Sequence, residues 1–308
     1  MKTLQVIAPV YNESDCIEDF VSSVTSILNS LSEYDSSILL IENGSEDNSL
    51  ELIKKLAQTN SRVKYLTLSK NFGMDGGILA GLATTNADLV VLMASDLQDD
   101  PIYIPIFLEK IEEGYENVFG IVKKRQGTNI LRRINSQLFY LLASKLTAEM
   151  IPRNASDYRI ITKKLYSELN KLQDSNLILR SSIAWLGFKS FGVEIIRPTR
   201  IGGKSKANTL RVLSIATKAI LSNSYSLLRL ASITGFLLSG FALISLIFTT
   251  LMFFTRGVPF PGFGTITSLI IMLFGILFLF IGILSEYVAL IYEEVKNRPK
   301  FIINEIVD

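Results

Sequence analysis

The sequence predicts an α/β domain with a mostly parallel sheet, followed by an interfacial helix and a two-helix membrane hairpin. Over residues 1–120, short apolar runs alternate with helix-like stretches. A polar cluster follows each of these runs. Two long uncharged stretches lie near the C-terminus.

The strands come first. Leu4–Val10, Ser37–Ile41, Val63–Leu68 and Asp88–Ala94 are short apolar runs, with helix-like Ile17–Leu31, Ser49–Gln58 and Gly76–Thr84 between them. Strands apolar on both faces, alternating with helices, imply a parallel sheet covered on both sides. Such sheets bind ligands beyond the carboxyl ends of their strands. The polar clusters fall there: Pro9–Glu13, Glu42–Asp47, Lys70–Gly73 and Ser95–Asp100. This first domain is expected over residues 1–206.

Residues 207–229 follow. Leu210, Leu213, Ala216, Ile220 and Leu227 recur at helical spacing among Arg211 and Lys218. An amphipathic helix in the membrane interface fits this pattern, and so does a surface helix packed on the sheet. Residues 230–308 are expected to form the membrane part. Leu230–Phe254 holds 25 residues without a charge and Gly257–Ser285 another 29. About 20 apolar residues cross a bilayer as a helix, which predicts spans at about 230–254 and 265–285. Basic residues flank the outer ends of this pair, and the turn carries only Arg256. That bias puts both termini and the first domain in the cytoplasm. The run Leu4–Val10 is short and stops at Tyr11-Asn12-Glu13, unlike a signal peptide.

Composition narrows the chemistry. The chain has 308 residues, no histidine, one cysteine and a net charge of +2. Without histidine, serine–histidine and cysteine–histidine catalysis and histidine-held zinc are excluded. A single cysteine, Cys16, excludes an internal disulfide framework. The balanced charge gives no argument for nucleic acid as a partner. Any metal must be held by oxygen ligands, which points to Mg²⁺ or Mn²⁺.

The motifs carry a resemblance. PVYNE at 9–13, ENGSED at 42–47, NFG at 71–73 with AGL at 80–82, and SDLQDDP at 95–101 occur in one order. That order resembles the family 2 glycosyltransferases of the GT-A fold, a Rossmann-like architecture. Asp157-Tyr158-Arg159 is similar to the family's later D-[FY]-R element, and Arg200–Lys206 to its R-x-x-G-x-S-K loop. The tail from Ser285 to Phe301 resembles the polyprenyl-phosphate branch. That branch holds dolichol-phosphate mannose synthases and bacterial bactoprenol glucosyltransferases of O-antigen modification.

The resemblance implies an inverting enzyme of the bacterial inner membrane. It would move a sugar, by default glucose with GlcNAc, galactose, mannose and a modified arabinose left open, from a UDP-sugar or related donor to undecaprenyl phosphate. Membrane lipid is the other implied partner, and relatives suggest a homo-oligomer, specifically a tetramer. Pro9, Tyr11, Glu13 and Glu42 are expected to meet the nucleoside. For Pro9-Val10-Tyr11 a plain strand-ending turn reads the same. Lys70, near a helix start, suits the diphosphate, though an exposed lysine at a helix start looks identical. Arg125, Arg132 and Ser136 are the implied acceptor-phosphate residues; Arg132 and Ser136 lie four apart on one helical face. A membrane-facing positive patch reads equally well there. The Arg200–Lys206 loop would close over the diphosphate, with Ser205 and Lys206 at the donor and Arg200 or Lys206 countering charge on the leaving group, unless the segment is only a basic linker.

The acidic stretch raises the metal question. Where relatives read D-x-D-x-Q, this chain has Ala94-Ser95-Asp96-Leu97-Gln98. Asp96 and Gln98 are the expected metal ligands, with Asp99 in outer support and Asp100 capping the next helix ahead of Pro101. Asp157 is the residue the resemblance places beside the acceptor as a base. A phosphomonoester with its second pKa near ~6 needs little deprotonation, so orienting an arginine such as Arg159 is the competing role. Asp96, Asp157 and Arg200 form the expected catalytic set. The resembled family carries Asp at both 42 and 43, where this chain has Glu42 and Asn43. Ala94, Asn43 and Gly76-Gly77 motivate a rival reading, a decayed enzyme acting as a membrane binding or regulatory protein. Gly76-Gly77 also predicts a looser helix.

Overall fold

The computed structural model describes residues 1–123, 154–172, 174, 177–197 and 263–307, with isolated positions 237 and 244. Arg125, Arg132, Ser136, Arg200, Ser205, Lys206, the 207–229 segment and the 230–254 span lie outside the described residues.

The chain begins with β1 (Lys2–Val10), α1 (Ile17–Ser30), β2 (Tyr34–Glu42), α2 (Ser49–Thr59), β3 (Val63–Leu68), α3 (Gly73–Thr84) and β4 (Leu89–Leu92). A short 3₁₀ turn at Pro101–Tyr103 leads into α4 (Ile104–Glu112) and β5 (Asn117–Val122). Then come β6 (Ala155–Thr162), α5 (Lys163–Lys171), α6 (Leu179–Trp185), β7 (Ser190–Ile195), α7 (Phe263–Lys296) and β8 (Ile303–Val307).

The described strands form one eight-stranded sheet in the order β7-β5-β6-β4-β1-β2-β3-β8. Strands β3, β2, β1 and β4 are parallel, as expected. Strand β6 runs antiparallel between β4 and β5, while β5 and β7 are parallel. Alternation along β1 explains the layering. Leu4, Val6, Ala8 and Val10 face one buried cluster with Phe20, Val24 and Phe107. Ile7 faces the other cluster, with Ile78, Leu82, Leu165 and Leu179. Successive side chains of a strand point to opposite faces, so one short strand builds two cores. Each fully buried Leu or Ile contributes about 1.5–3 kcal/mol.

Helix α3 is not loose. A Cβ on Gly77 would lie 3.0 Å from Cβ of Pro9, and one on Gly81 would lie 2.6 Å from Cγ2 of Ile7. Spaced four apart, these glycines share one face and let the helix press onto β1. A Cβ on Gly76 would meet Cβ of Phe72 at 2.6 Å. The expectation of a looser helix fails because these glycines mark close packing.

The chain divides into two compact units, the second comprising Leu141–Ala148 and Ala207–Asn297. Its described helix α7 is 34 residues long, about 51 Å at 1.5 Å per residue. Within it, Leu273–Lys296 is long and apolar enough to cross a bilayer. The helix continues beyond Ser285 because no breaker intervenes. It ends where Asn297 takes a positive φ of 44° and Pro299 follows, a usual stop signal.

Residues Arg298–Asp308 belong to the first unit. There β8 pairs antiparallel with β3, and Ser69 N–H donates to Ile302 O at 3.0 Å. The tail that sequence assigned to the membrane part thus supplies an edge strand of the α/β sheet.

Candidate active site

The parallel strands deliver their following loops to one edge of the sheet. Because β6 runs the other way, its first residues, Ala155–Asp157, reach that same edge. The ends of β5 and β7 meet there too, through Lys123 N–H donating to Ile195 O at 3.1 Å. The side chain of Lys123 pairs with Glu194.

The loops after β1 and β2 are laced together. Asn12, with a positive φ of 54°, donates its N–H to Ser45 Oγ at 3.1 Å and accepts from Glu46 N–H at 2.8 Å. Glu13 N–H donates to Ser49 Oγ at 3.0 Å, and Ser14 N–H to Asp47 at 3.2 Å. Pro9 and Tyr11 are half-buried on this frame. Glu42 is buried and accepts from Ser45 N–H, so it braces its own loop. Cys16 Sγ donates to Glu13 Oε2 at 3.2 Å. Burial, followed by that carboxylate, pushes its thiol up to about 12, so Cys16 is no nucleophile at neutral pH.

Asn43 explains one departure from the family pattern. Its buried side chain accepts from Phe72 N–H at 2.9 Å and donates to Gly73 O at 2.8 Å. An aspartate lacks the second, donating function. Asn43 therefore clamps the turn that starts α3. Exposed Lys70 precedes that turn, its Nζ 5.1 Å from the centroid of the Phe72 ring. Helix α3 starts at Gly73, three residues before the sequence-predicted Gly76, so Lys70 stands close to its N-terminus.

After β4, Asp96 and Gln98 are half-buried. Asp96 Oδ1 accepts from Gln98 N–H at 3.2 Å, and Leu97 between them has a φ of 59°. Asp99 differs from expectation. It is buried, and its Oδ1 takes Nε and Nη2 of Arg197 at 2.9 and 2.7 Å while its Oδ2 takes Ala94 N–H at 3.2 Å. Its oxygens therefore hold Arg197 and close the 94–99 loop, in place of the outer metal support the sequence suggested. Asp100 accepts from Ile102 N–H at 3.0 Å, the expected cap before Pro101.

Asp157 also has another partner than expected. Arg159 is buried and donates to backbone, through Nη2 to Ser156 O at 3.0 Å and Nε to Asp157 O at 3.4 Å. The Asp157 carboxylate is instead gripped by Arg180 through Nε and Nη2. Burial alone would raise this carboxyl. The Arg180 fork, helped by Arg159 and Arg197, more than offsets that and holds it below the usual range. Nearby Asp75 is pushed up, first by burial and then by the charge of Asp157.

The structure brings Pro9, Tyr11, Glu13, Glu42, Lys70, Asp96, Gln98 and Asp157 to strand ends and the adjoining loops at one sheet edge. Sequence reasoning missed Asp75, Arg180 and Arg197. Only Asp75 carried a local signal, two residues beyond N-F-G. No group of three or more acidic, cysteine or histidine side chains able to hold a metal occurs among the described residues.

Known proteins resemble this chain over most of its length. The family model for glycosyl transferase family 2 matches residues 5–185. The Bacillus subtilis protein YkcC, an uncharacterized glycosyltransferase, is 30% identical over 97% of this chain and 93% of its own length. The bactoprenol glucosyl transferase of Shigella phage SfII is 31% identical over 98% of this chain and 97% of its own length. Among solved structures, glucosyl-3-phosphoglycerate synthase from Mycobacterium tuberculosis, in complex with Mn²⁺, UDP and phosphoglyceric acid, matches with a TM-score of 0.52. It is 16% identical, covering 71% of this chain and 76% of that one, and the likeness concerns the fold alone.

Proposed function

The chain belongs to glycosyl transferase family 2, and from that premise we propose that it moves glucose from UDP-glucose to undecaprenyl phosphate at the cytoplasmic membrane face. The acceptor phosphate oxygen attacks the anomeric carbon in line, with inversion, and UDP leaves. The product is a lipid-linked sugar for cell-surface glycan modification. The observation that carries this reading is the span of the likeness. Relatives named bactoprenol glucosyl transferases match the α/β part and the apolar C-terminal part alike, over 97% of their own length.

The pairing of β8 with β3 supports the membrane arrangement. The apolar segment leaves and re-enters one sheet, so both of its ends lie on one side of any bilayer it crosses. A crossing by α7 then requires a second one, which the uncharged run Leu230–Phe254 supplies.

In this reading Pro9, Tyr11, Glu13 and Glu42 frame the nucleoside, and Lys70 meets the diphosphate. Arg125, Arg132 and Ser136 take the acceptor phosphate, where guanidinium forks suit phosphate geometry. Ser205 and Lys206 bind the donor, and Arg200 or Lys206 counters charge on departing UDP. Asp96 and Gln98 fit Mg²⁺ or Mn²⁺. One half-buried carboxylate at a strand end suffices for an ion whose remaining sites are filled by phosphate and water. When bound, the ion would stabilise charge on the leaving diphosphate. The chain's own contribution is positioning and fixed charge. A tetramer completes the proposal, checked by light scattering of the detergent-solubilised protein.

The test is a panel of radiolabelled UDP-glucose, UDP-GlcNAc, UDP-galactose and GDP-mannose with undecaprenyl phosphate. Label entering the lipid phase from UDP-glucose is expected. Lipid label from another donor reassigns the sugar. Absence of lipid label with every donor overturns the acceptor.

A further inference from the structure

Arg180 lies outside every motif of the sequence, yet it grips the carboxylate that the D-[FY]-R element presents. Its Nε and Nη2 donate to the two oxygens of Asp157, and its Nη1 donates to Ala155 O at 2.9 Å. The third bond ties the guanidinium to the start of β6, so the fork and the carboxylate are held together. From α3, Asp75 stands near the backbone N–H of Leu179, the residue before Arg180, and near the charges of Arg180 and Asp157. Arg159, engaged with backbone carbonyls, leaves the Asp157 carboxylate to Arg180.

A carboxylate that accepts a two-pronged guanidinium bond is fixed in plane and in charge. Taking up a proton would break one of those charge-assisted bonds. The proposed acceptor, largely dianionic at neutral pH, asks for no such proton transfer.

We propose that Arg180 is a positioning residue for the transfer reaction, holding Asp157 as an oriented, permanently ionised carboxylate rather than a proton acceptor. The inference rests on the function proposed above. Without Arg180, burial pushes the Asp157 carboxyl up, and activity that needs its charge acquires an acid limb.

The test uses full-length Arg180→Gln, Arg180→Lys, Asp157→Asn and the Asp157→Asn/Arg180→Gln double variant, with UDP-induced thermal shifts checking the fold. Arg180→Gln should lower kcat about tenfold to a hundredfold, the usual scale of a misplaced group, with the donor KM within about threefold. Its acid limb should move to higher pH, and Arg180→Lys should move it partly back. In the Asp157→Asn background, Arg180→Gln should cost less than about threefold, because coupled residues are not additive.

A pH profile of Arg180→Gln that superimposes on wild type overturns the inference, as do equal penalties in both backgrounds. A wild-type acid limb of about tenfold per pH unit that vanishes in Asp157→Asn, where only the acceptor's own ionisation remains, makes Asp157 a titrating base and overturns it too. Should Arg180→Gln not fold, Arg180→Lys and the double variant carry the same comparison. Infrared difference spectra against Asp157→Asn read the ionisation of Asp157 in wild type and in Arg180→Gln across the same pH range, even if no lipid product forms. Failure of the acceptor assignment and failure of this inference are therefore distinguishable.

Discussion

Replacing Asn43 with aspartate tests whether this position is drift or design. The side chain is 2% exposed, accepts from Phe72 N–H at 2.9 Å and donates to Gly73 O at 2.8 Å. Aspartate keeps the first bond and turns the second into a carboxylate oxygen facing a carbonyl oxygen. Losing a buried hydrogen-bond partner costs about 1–3 kcal/mol, and more when the orphaned group is charged. A loss of about 3 kcal/mol should lower Tm by roughly 6–12 °C at 2–4 °C per kcal/mol for a domain of this size. The deficit should depend on pH. The new carboxyl is harder to ionise in the folded state than its unfolded value of about 3.9. Below that value it is protonated and its O–H replaces the lost donor, so stability is nearly wild-type. Stability is then lost as pH rises through the higher folded-state value. Thermal unfolding of the detergent-solubilised protein between pH 4 and 8 measures this. A variant within about 1 °C of wild type across that range would refute the clamp and leave Asn43 neutral.

Asp96→Asn should lower turnover by roughly a hundredfold or more, and calorimetry should show Mn²⁺ binding strengthened by UDP; full activity in EDTA would remove the metal from the account. Gly77→Ala places a methyl 3.0 Å from Pro9 Cβ. It should destabilise by about 1–3 kcal/mol and raise the KM for the UDP-sugar; unchanged Tm and KM would show that α3 can shift freely. For topology, single cysteines near Gly257 and Asn304 in a Cys16→Ser background should label in intact cells only at the first site; the reverse pattern would contradict the shared side of β8 and β3.

The parallel strands β1–β4 and the polar loops after them were legible in the sequence, while β6, β7 and the edge strand β8 were not. Hydropathy and period are local properties, and they decide which residues become strands and which ends carry polar clusters. The same locality made Asp100 readable as a cap and α7 as a long apolar helix. Other features needed the folded chain. Nothing in sequence spacing links Asp99 to Arg197, 98 residues away, or Asp157 to Arg180. Each is a carboxylate whose partner is chosen by the meeting of separate strand ends. Gly76 and Gly77 read as weakness in a helix, since close approach is visible only once Pro9 and Phe72 stand opposite. The tail from Arg298 read as a cytoplasmic extension, because an edge strand is defined by its neighbour, and β3 lies more than two hundred residues earlier. Sequence thus determined what each segment prefers to be. The tertiary structure decided which charges meet, because burial makes an unpaired carboxylate costly and only the fold brings its arginine within reach.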